Sequence, residues 1–177
     1  MNILILNGSA RKGNTYAAVH AFAEGAESKG NEVHILQTDL LNLSPCKGCN
    51  ACECSKGCVA NDETNTVVDQ IVSSDIVLFA SPVYWWGISA QLKLVIDKCF
   101  SKANLLKGKA VGIILTGEAA TDDEEYSIIK SQFDCIAKFL NWKILFFKTF
   151  CAGNADELSK SQNVMTQLRT LGSEIQK

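Results

Sequence analysis

The hydrophobic positions of this chain fall into two alternating kinds of segment. Short runs that are apolar almost throughout occupy Asn2–Leu6, Glu32–Gln37, Asp75–Ala80, Ala110–Thr116 and Lys143–Phe150. The third and fourth are nearly continuous in Ile, Val, Leu and Phe, as expected of strands covered on both faces. Between the runs, apolar residues return at helical spacing. Val19, Phe22, Ala23 and Ala26 fall at i, i+3, i+4 and i+7, as do Leu92, Val95, Ile96 and Cys99. Val68, Ile71 and Val72 mark a shorter helix, Ile129, Phe133, Ile136 and Leu140 another, and Val164, Leu168, Leu171 and Ile175 the last.

Five strands alternating with five helices predict an α/β fold, a doubly wound parallel sheet with helices on both faces. Such sheets bind ligands at the carboxyl ends of their strands, where the strand order reverses. For the five-stranded order 2-1-3-4-5 that point lies between the first and third strands. The loops there are Asn7–Thr15 and Ser81–Gly87. With two prolines, no repeats and no low-complexity linker, residues 1–177 read as a single domain.

The first loop, Asn7-Gly-Ser-Ala-Arg-Lys-Gly-Asn-Thr15, lies between a strand and a helix N-terminus. Backbone amides converge at such a turn, the helix dipole favours an anion, and Ser9, Asn14 and Thr15 add side-chain donors. Gly8-x-x-x-x-Gly13 stops short of a triphosphate-binding loop, because Asn14 stands where the lysine would be. The dinucleotide fingerprint is absent as well. A monophosphate held by hydroxyls, amides and Arg11 fits these residues, and so does a plain capped turn. In the second loop three consecutive aromatics, Tyr84-Trp85-Trp86, cannot all point into one core. Some of these rings must be exposed or meet a flat ligand, and packing under a loop or at a dimer interface is the plain alternative.

Charge narrows the partners. With 17 basic and 19 acidic residues the chain is close to neutral, which gives no electrostatic case for nucleic acid or an anionic membrane surface. No apolar run approaches the roughly 20 residues of a membrane span, and no secretory signal pattern opens the chain, so a cytoplasmic location is expected. Of eight cysteines, Cys46, Cys49, Cys52, Cys54 and Cys58 crowd into one segment, while Cys99, Cys135 and Cys151 stand alone in apolar patterns. Cys46, Cys49, Cys52 and Cys58 have the spacing C-x2-C-x2-C-x5-C, which lets one loop wrap several thiolates around one centre. An iron–sulfur cluster, a zinc ion and free redox-active thiols are all compatible with that spacing.

Together, Asn7–Thr15, the Cys46-x-Gly-Cys49-x-x-Cys52 segment, Ser81-Pro-Val-Tyr-Trp85 and Gln91-Leu-Lys-x-x-x-Asp97-Lys98 resemble the flavodoxin-like NAD(P)H-dependent FMN reductases. The cysteine segment is similar to that of their iron–sulfur flavoprotein branch. The resemblance implies a flavodoxin-like three-layer fold and bound FMN. Its phosphate would be held by Ser9, Arg11, Asn14 and Thr15, with Gly13 allowing close backbone approach. Pro82, Val83, Tyr84 and Trp85 would line the ring and ribityl chain, and Thr116, Gly117 and Glu118 would close the other edge. It further implies that Cys46, Cys49, Cys52 and Cys58 hold a four-iron four-sulfur cluster, and that two copies form a homodimer with the flavin near the interface.

The implied activity moves electrons from NAD(P)H or a ferredoxin-type donor to a small-molecule or protein acceptor, with no catalytic acid or base in the protein. A flavodoxin-like electron carrier without a substrate of its own, and a zinc-stabilised binding module, are the rival readings. Thr121-Asp-Asp-Glu124 reads as a capping box, and Lys93 with Asp97 as a solvated pair. Lys98 stands where an arginine often follows Asp97 in the family, a change expected to bear on a dimer contact.

Overall fold

The computed structural model describes residues 1–176. Strands β1 (Asn2–Asn7), β2 (Glu32–Gln37), β3 (Ile76–Tyr84), β5 (Ala110–Gly117) and β6 (Lys143–Cys151) form a parallel sheet in the order β2-β1-β3-β5-β6. A two-residue strand, β4 (Gly87–Ile88), folds back antiparallel on β3. With β4 set aside, this is the anticipated order 2-1-3-4-5. Along the inner strands successive side chains enter different cores. Leu4, Leu6, Val77, Phe79, Val111, Ile113 and Leu115 face one core, and Ile3, Ile5, Ile76, Leu78 and Ile114 face the other. Burial on both faces is why these runs are apolar without alternation.

The first core is closed by α2 (Thr64–Ser73), α3 (Ala90–Lys98) and α4 (Glu124–Leu140). Its centre is Phe79, fully buried between the rings of Phe133 and Trp142 at 5.4 and 5.7 Å. The second core is closed by α1 (Asn14–Glu27), the short α5 (Glu157–Lys160) and α6 (Gln162–Ser173). Among the described residues no helix is long and apolar enough to cross a membrane.

Helices α1 and α6 touch backbone to backbone. A Cβ on Gly25 would overlap the Arg169 carbonyl, and one on Gly172 would overlap the Phe22 carbonyl. In an exposed helix Gly→Ala gains up to about 1 kcal/mol. At this crossing overpacking dominates, and Gly25→Ala should lose about 1–3 kcal/mol in urea unfolding. A raised denaturation midpoint would contradict the close crossing.

Most boundaries shift by at most a single residue, and two differ more from the sequence reading. Strand β3 does not stop at Ala80 but runs on through Ser81 and Pro82 to Tyr84, pairing with β5 as far as Pro82–Thr116. Beyond Asn7, β1 no longer runs beside it, so the missing Pro82 N–H leaves no ladder position empty on that side. Helix α4 begins at Glu124 with Asp123 as its cap, accepting the Glu125 N–H at 3.2 Å. The chain turns through Ala120–Asp123 first, with the Asp123 amide donating to the Ala120 carbonyl, so Thr121 does not cap the helix.

Candidate functional site

The turn after β1 is clamped from both neighbouring strands. The Asn7 side chain is fully buried and donates to Gln37 Oε1 at 2.9 Å, while its own Oδ1 accepts the Ser9 N–H at 3.1 Å. The Gly8 N–H donates to the Ala80 carbonyl at 2.7 Å, and a Cβ on Gly8 would stand 2.6 Å from Ser89 Oγ. Helix α1 then starts at Asn14 with no side-chain cap and no acidic residue in its first turn. The amides of Asn14, Thr15 and Tyr16 find no acceptor among the described residues. Free first-turn amides at the positive end of a helix are a seat for an anion.

The side chains divide this work unevenly. Asn14 donates to the carbonyls of Ala152 and Asn154 at 3.3 and 2.6 Å and accepts the Leu158 N–H at 3.1 Å. Its amide group is thus spent on bracing the segment after β6, and only its backbone N–H remains for a phosphate. The Thr15 and Thr116 hydroxyls lie 2.7 Å apart, joining the first turn of α1 to the end of β5. Ser9 Oγ donates to the Arg11 carbonyl at 2.9 Å and fixes the bend between them.

These loops surround a cavity of about 230 Å³. Its lining includes Ser9, Arg11, Asn14, Thr15, Pro82, Val83, Tyr84, Thr116, Gly117 and Glu118, ten of the twelve cofactor positions named above. Gly13 does not line it but sits just before α1, where a Cβ would meet the Ala155 carbonyl at 3.1 Å and Arg11 Nε at 3.2 Å. Trp85 does not line it either, being 89% exposed at the tip of the β3–β4 hairpin. Ala152 and Gly153, which complete the wall, escaped the sequence reading. The available signal was a small-residue turn following the last strand at the same sheet edge.

The hairpin tip is strained. Trp85 and Trp86 both have left-handed backbones, φ 50° and 57°, between the paired residues Tyr84 and Gly87. Two-residue turns of this kind favour Asn-Gly, and a bulky residue there costs on the order of 1–3 kcal/mol. The two indoles meet edge to face at 5.3 Å, beside the cavity that Tyr84 lines. Behind Gly117, a Cβ would strike Tyr126 Oη at 2.7 Å and Glu125 Oε1 at 2.9 Å. Tyr126 donates to the Ala119 carbonyl, and burial beside Glu125 pushes its hydroxyl pKa up to about 12. Burial and nearby Asp123 raise the Glu125 carboxyl as well. Gly117 is therefore packed from behind and open only toward the cavity.

The cysteine segment forms a second cavity of about 360 Å³ between the loop after β2 and the end of α3. Cys46, Cys49, Cys52 and Cys58 all line it. Cys54 does not; it packs half-buried against the first core, in a left-handed conformation at φ 59°. The loop is wound tightly, with further positive φ at Gly48, Asn50, Glu53 and Gly57. Asp62 staples it shut. One carboxylate oxygen accepts the Ser44 N–H at 3.0 Å and hydroxyl at 2.6 Å, and the other accepts the same two groups of Thr64 at 3.0 and 2.5 Å. Burial alone would raise the Asp62 pKa, but these four bonds outweigh it and hold the carboxyl well below the usual carboxylate range.

Lys98 reaches Asp62 from below at 3.3 Å with only 3% of its side chain exposed. Within one chain it is an internal cation beneath the cysteine loop. Lys93 and Asp97, by contrast, form the anticipated exposed pair at 2.6 Å. Among the described residues no three His, Cys, Asp or Glu side chains gather closely enough to hold a metal ion. The four cysteines instead line one cavity. Their number and spacing suit a multi-iron cluster, whose thiolates bind several metal ions rather than one point.

Comparison with known proteins covers both sites. The profile of the NADPH-dependent FMN reductases matches residues 1–126, which include the loops after β1, β3 and β5 and the entire cysteine segment. An iron–sulfur flavoprotein of Methanosarcina thermophila is 30% identical over 132 residues, covering 72% of this chain and 69% of its own length. One from Methanocaldococcus jannaschii is 28% identical over 131 residues, with 72% and 68% covered. A solved flavone reductase superposes with TM-score 0.76 at 16% identity, over 98% of this chain and 61% of its own, which speaks to the flavodoxin-like fold alone. The chain belongs to the NADPH-dependent FMN reductase family, in its iron–sulfur flavoprotein-like branch.

Proposed function

We propose that this chain is an FMN-dependent oxidoreductase that takes electrons from NAD(P)H or a ferredoxin-type donor and hands them to a small molecule or a redox protein. The observation that carries this reading is the 230 Å³ cavity, where loops from four parallel strands meet the uncapped start of α1. The residues fit FMN: an anion seat at one end, and Val83, Tyr84 and the glycine backbone of residue 117 at the other. Bound flavin supplies the hydride and single-electron chemistry. The protein's part is to bind and orient. The first-turn amides, Thr15 Oγ1 and Arg11 would take the phosphate, the end of β3 at residues 82–84 would border the ring, and Tyr126, bonded to the Ala119 carbonyl behind Gly117, backs the opposite wall.

Four thiolates from Cys46, Cys49, Cys52 and Cys58 would hold a four-iron four-sulfur cluster in the second cavity. Within one chain the two cavities share no lining residue. A homodimer in which one copy's cysteine loop approaches its partner's flavin would join them and would cover the exposed Trp85. Such a protein would work in the cytoplasm.

Replacing Thr15 by valine keeps its shape and removes one hydrogen bond to an anion, worth about 1.5–3 kcal/mol. FMN affinity should fall roughly tenfold to a hundredfold in a fluorescence titration, with iron content unchanged. Unaltered affinity would remove Thr15 from the site. Steady oxidation of NAD(P)H with an added acceptor separates an enzyme from a pure carrier, which would turn over only through a reductase partner.

A further inference from the structure

Cys58 is held differently from the other three thiols of the second cavity. Its backbone is gripped on both sides by Asn65, whose Oδ1 accepts the Cys58 N–H at 2.8 Å and whose Nδ2 donates to the Cys58 carbonyl at 2.9 Å. Its sulfur has two donors in reach: the Ala60 N–H at 3.5 Å and Lys98 Nζ at 3.8 Å. The lysine cannot swing away, because it is buried and anchored by Asp62. A second polar group points to the same place. Ser101, 4% exposed, lines this cavity, and its Oγ is buried with no hydrogen-bond partner.

A buried hydroxyl without a partner costs about 1–3 kcal/mol, so an orphan facing a cavity marks where an acceptor belongs. The cavity's sulfur-lined wall says what kind of acceptor. An iron–sulfur cluster presents thiolate and sulfide lone pairs and carries net negative charge. Hydrogen bonds to those sulfurs and nearby positive charge favour the reduced form, which holds one more electron.

We propose that Lys98 and Ser101 are positioning residues for the cluster. Lys98 donates to the Cys58 sulfur and Ser101 to a neighbouring sulfur, and the two together raise the cluster's reduction potential. The inference rests on the cluster assigned above and extends it to residues outside the cysteine motif. It also gives the buried Lys98–Asp62 pair a purpose. Replacing a buried pair by apolar side chains is often neutral or stabilising, so stability alone does not account for it.

The test is a redox titration of protein purified and reconstituted without oxygen, reading the cluster by electron paramagnetic resonance and the flavin by absorbance. Iron, sulfide and FMN content are measured first for wild type, Lys98→Met, Lys98→Arg and Ser101→Ala. The cluster midpoint should move to more negative potential in Lys98→Met and, by a smaller step, in Ser101→Ala. Lys98→Arg keeps the charge and should stay nearest to wild type, and the flavin midpoint should not move in any of them. Midpoints of Lys98→Met and Ser101→Ala that match wild type would overturn the proposal, as would equal shifts of cluster and flavin. If Lys98→Met fails to retain iron, Ser101→Ala decides alone, since it removes one oxygen and disturbs no ion pair. Wild-type protein without iron or sulfide would sink the cluster itself, and that result is read before any variant is compared.

Discussion

Asp62→Ala should destabilise the protein by about 3–5 kcal/mol, the usual cost of removing one partner from a buried charge pair. The Lys98 ammonium would be left inside the fold without its carboxylate, and Ser44 and Thr64 would each lose two bonds. Because Ser44 precedes the first cysteine and Thr64 opens α2, the ends of the cysteine loop would come apart together. Urea unfolding at neutral pH measures the loss. The exposed pair Lys130–Asp134, at 2.7 Å, is the control: Lys130→Ala should change stability by at most about 0.5 kcal/mol. The sign with pH also follows. The folded-state pKa of Asp62 lies below its ordinary value of 3.8, so its stabilisation is fully present above that value and is lost as pH falls below it. The gap between wild type and Asp62→Ala should therefore be constant near neutrality and narrow only in strong acid. A gap under 1 kcal/mol at neutral pH would mean that Lys98 finds water or another partner.

Cysteine replacements should split into two outcomes. Cys49→Ala removes one thiol of the four around the 360 Å³ cavity, and iron after anaerobic reconstitution should drop to background while bound FMN stays at the wild-type level. Cys54→Ala removes a thiol that faces the first core, so iron should be retained. The price of Cys54→Ala is a small stability loss from the vacated packing, on the order of 1 kcal/mol. Iron retained by Cys49→Ala, or lost by Cys54→Ala, would reassign the ligand set.

The sheet is legible in the sequence because burial on both faces writes itself as unbroken apolar runs, as at Val77–Ala80 and Val111–Leu115. The phosphate turn and the loops after β3 and β5 are legible for a different reason. They combine a fixed place at the carboxyl ends of strands with unusual residues. What escapes is everything that depends on a distant partner. Asn14 reads as a phosphate donor, but only the fold shows its amide committed to residues more than a hundred positions away. Lys98 reads only as a lysine in place of the family's arginine, and its burial depends on Asp62, which arrives from another loop. The hairpin at Trp85–Trp86 is hidden because its residues contradict the turn chemistry that would announce it. Ala152 and Gly153 contribute backbone rather than chemistry, and backbone leaves little trace in residue type.

The central proposal is FMN in one cavity and an iron–sulfur cluster in the other, within a single chain. Its most direct measurement is the visible spectrum of protein purified without oxygen, taken with iron, acid-labile sulfide and FMN analysis of the same sample. The expected result is a flavin spectrum over a broad iron–sulfur absorbance, with iron and sulfide in equal amounts beside the FMN. Colourless protein that stays colourless after incubation with FMN and anaerobic reconstitution would contradict it.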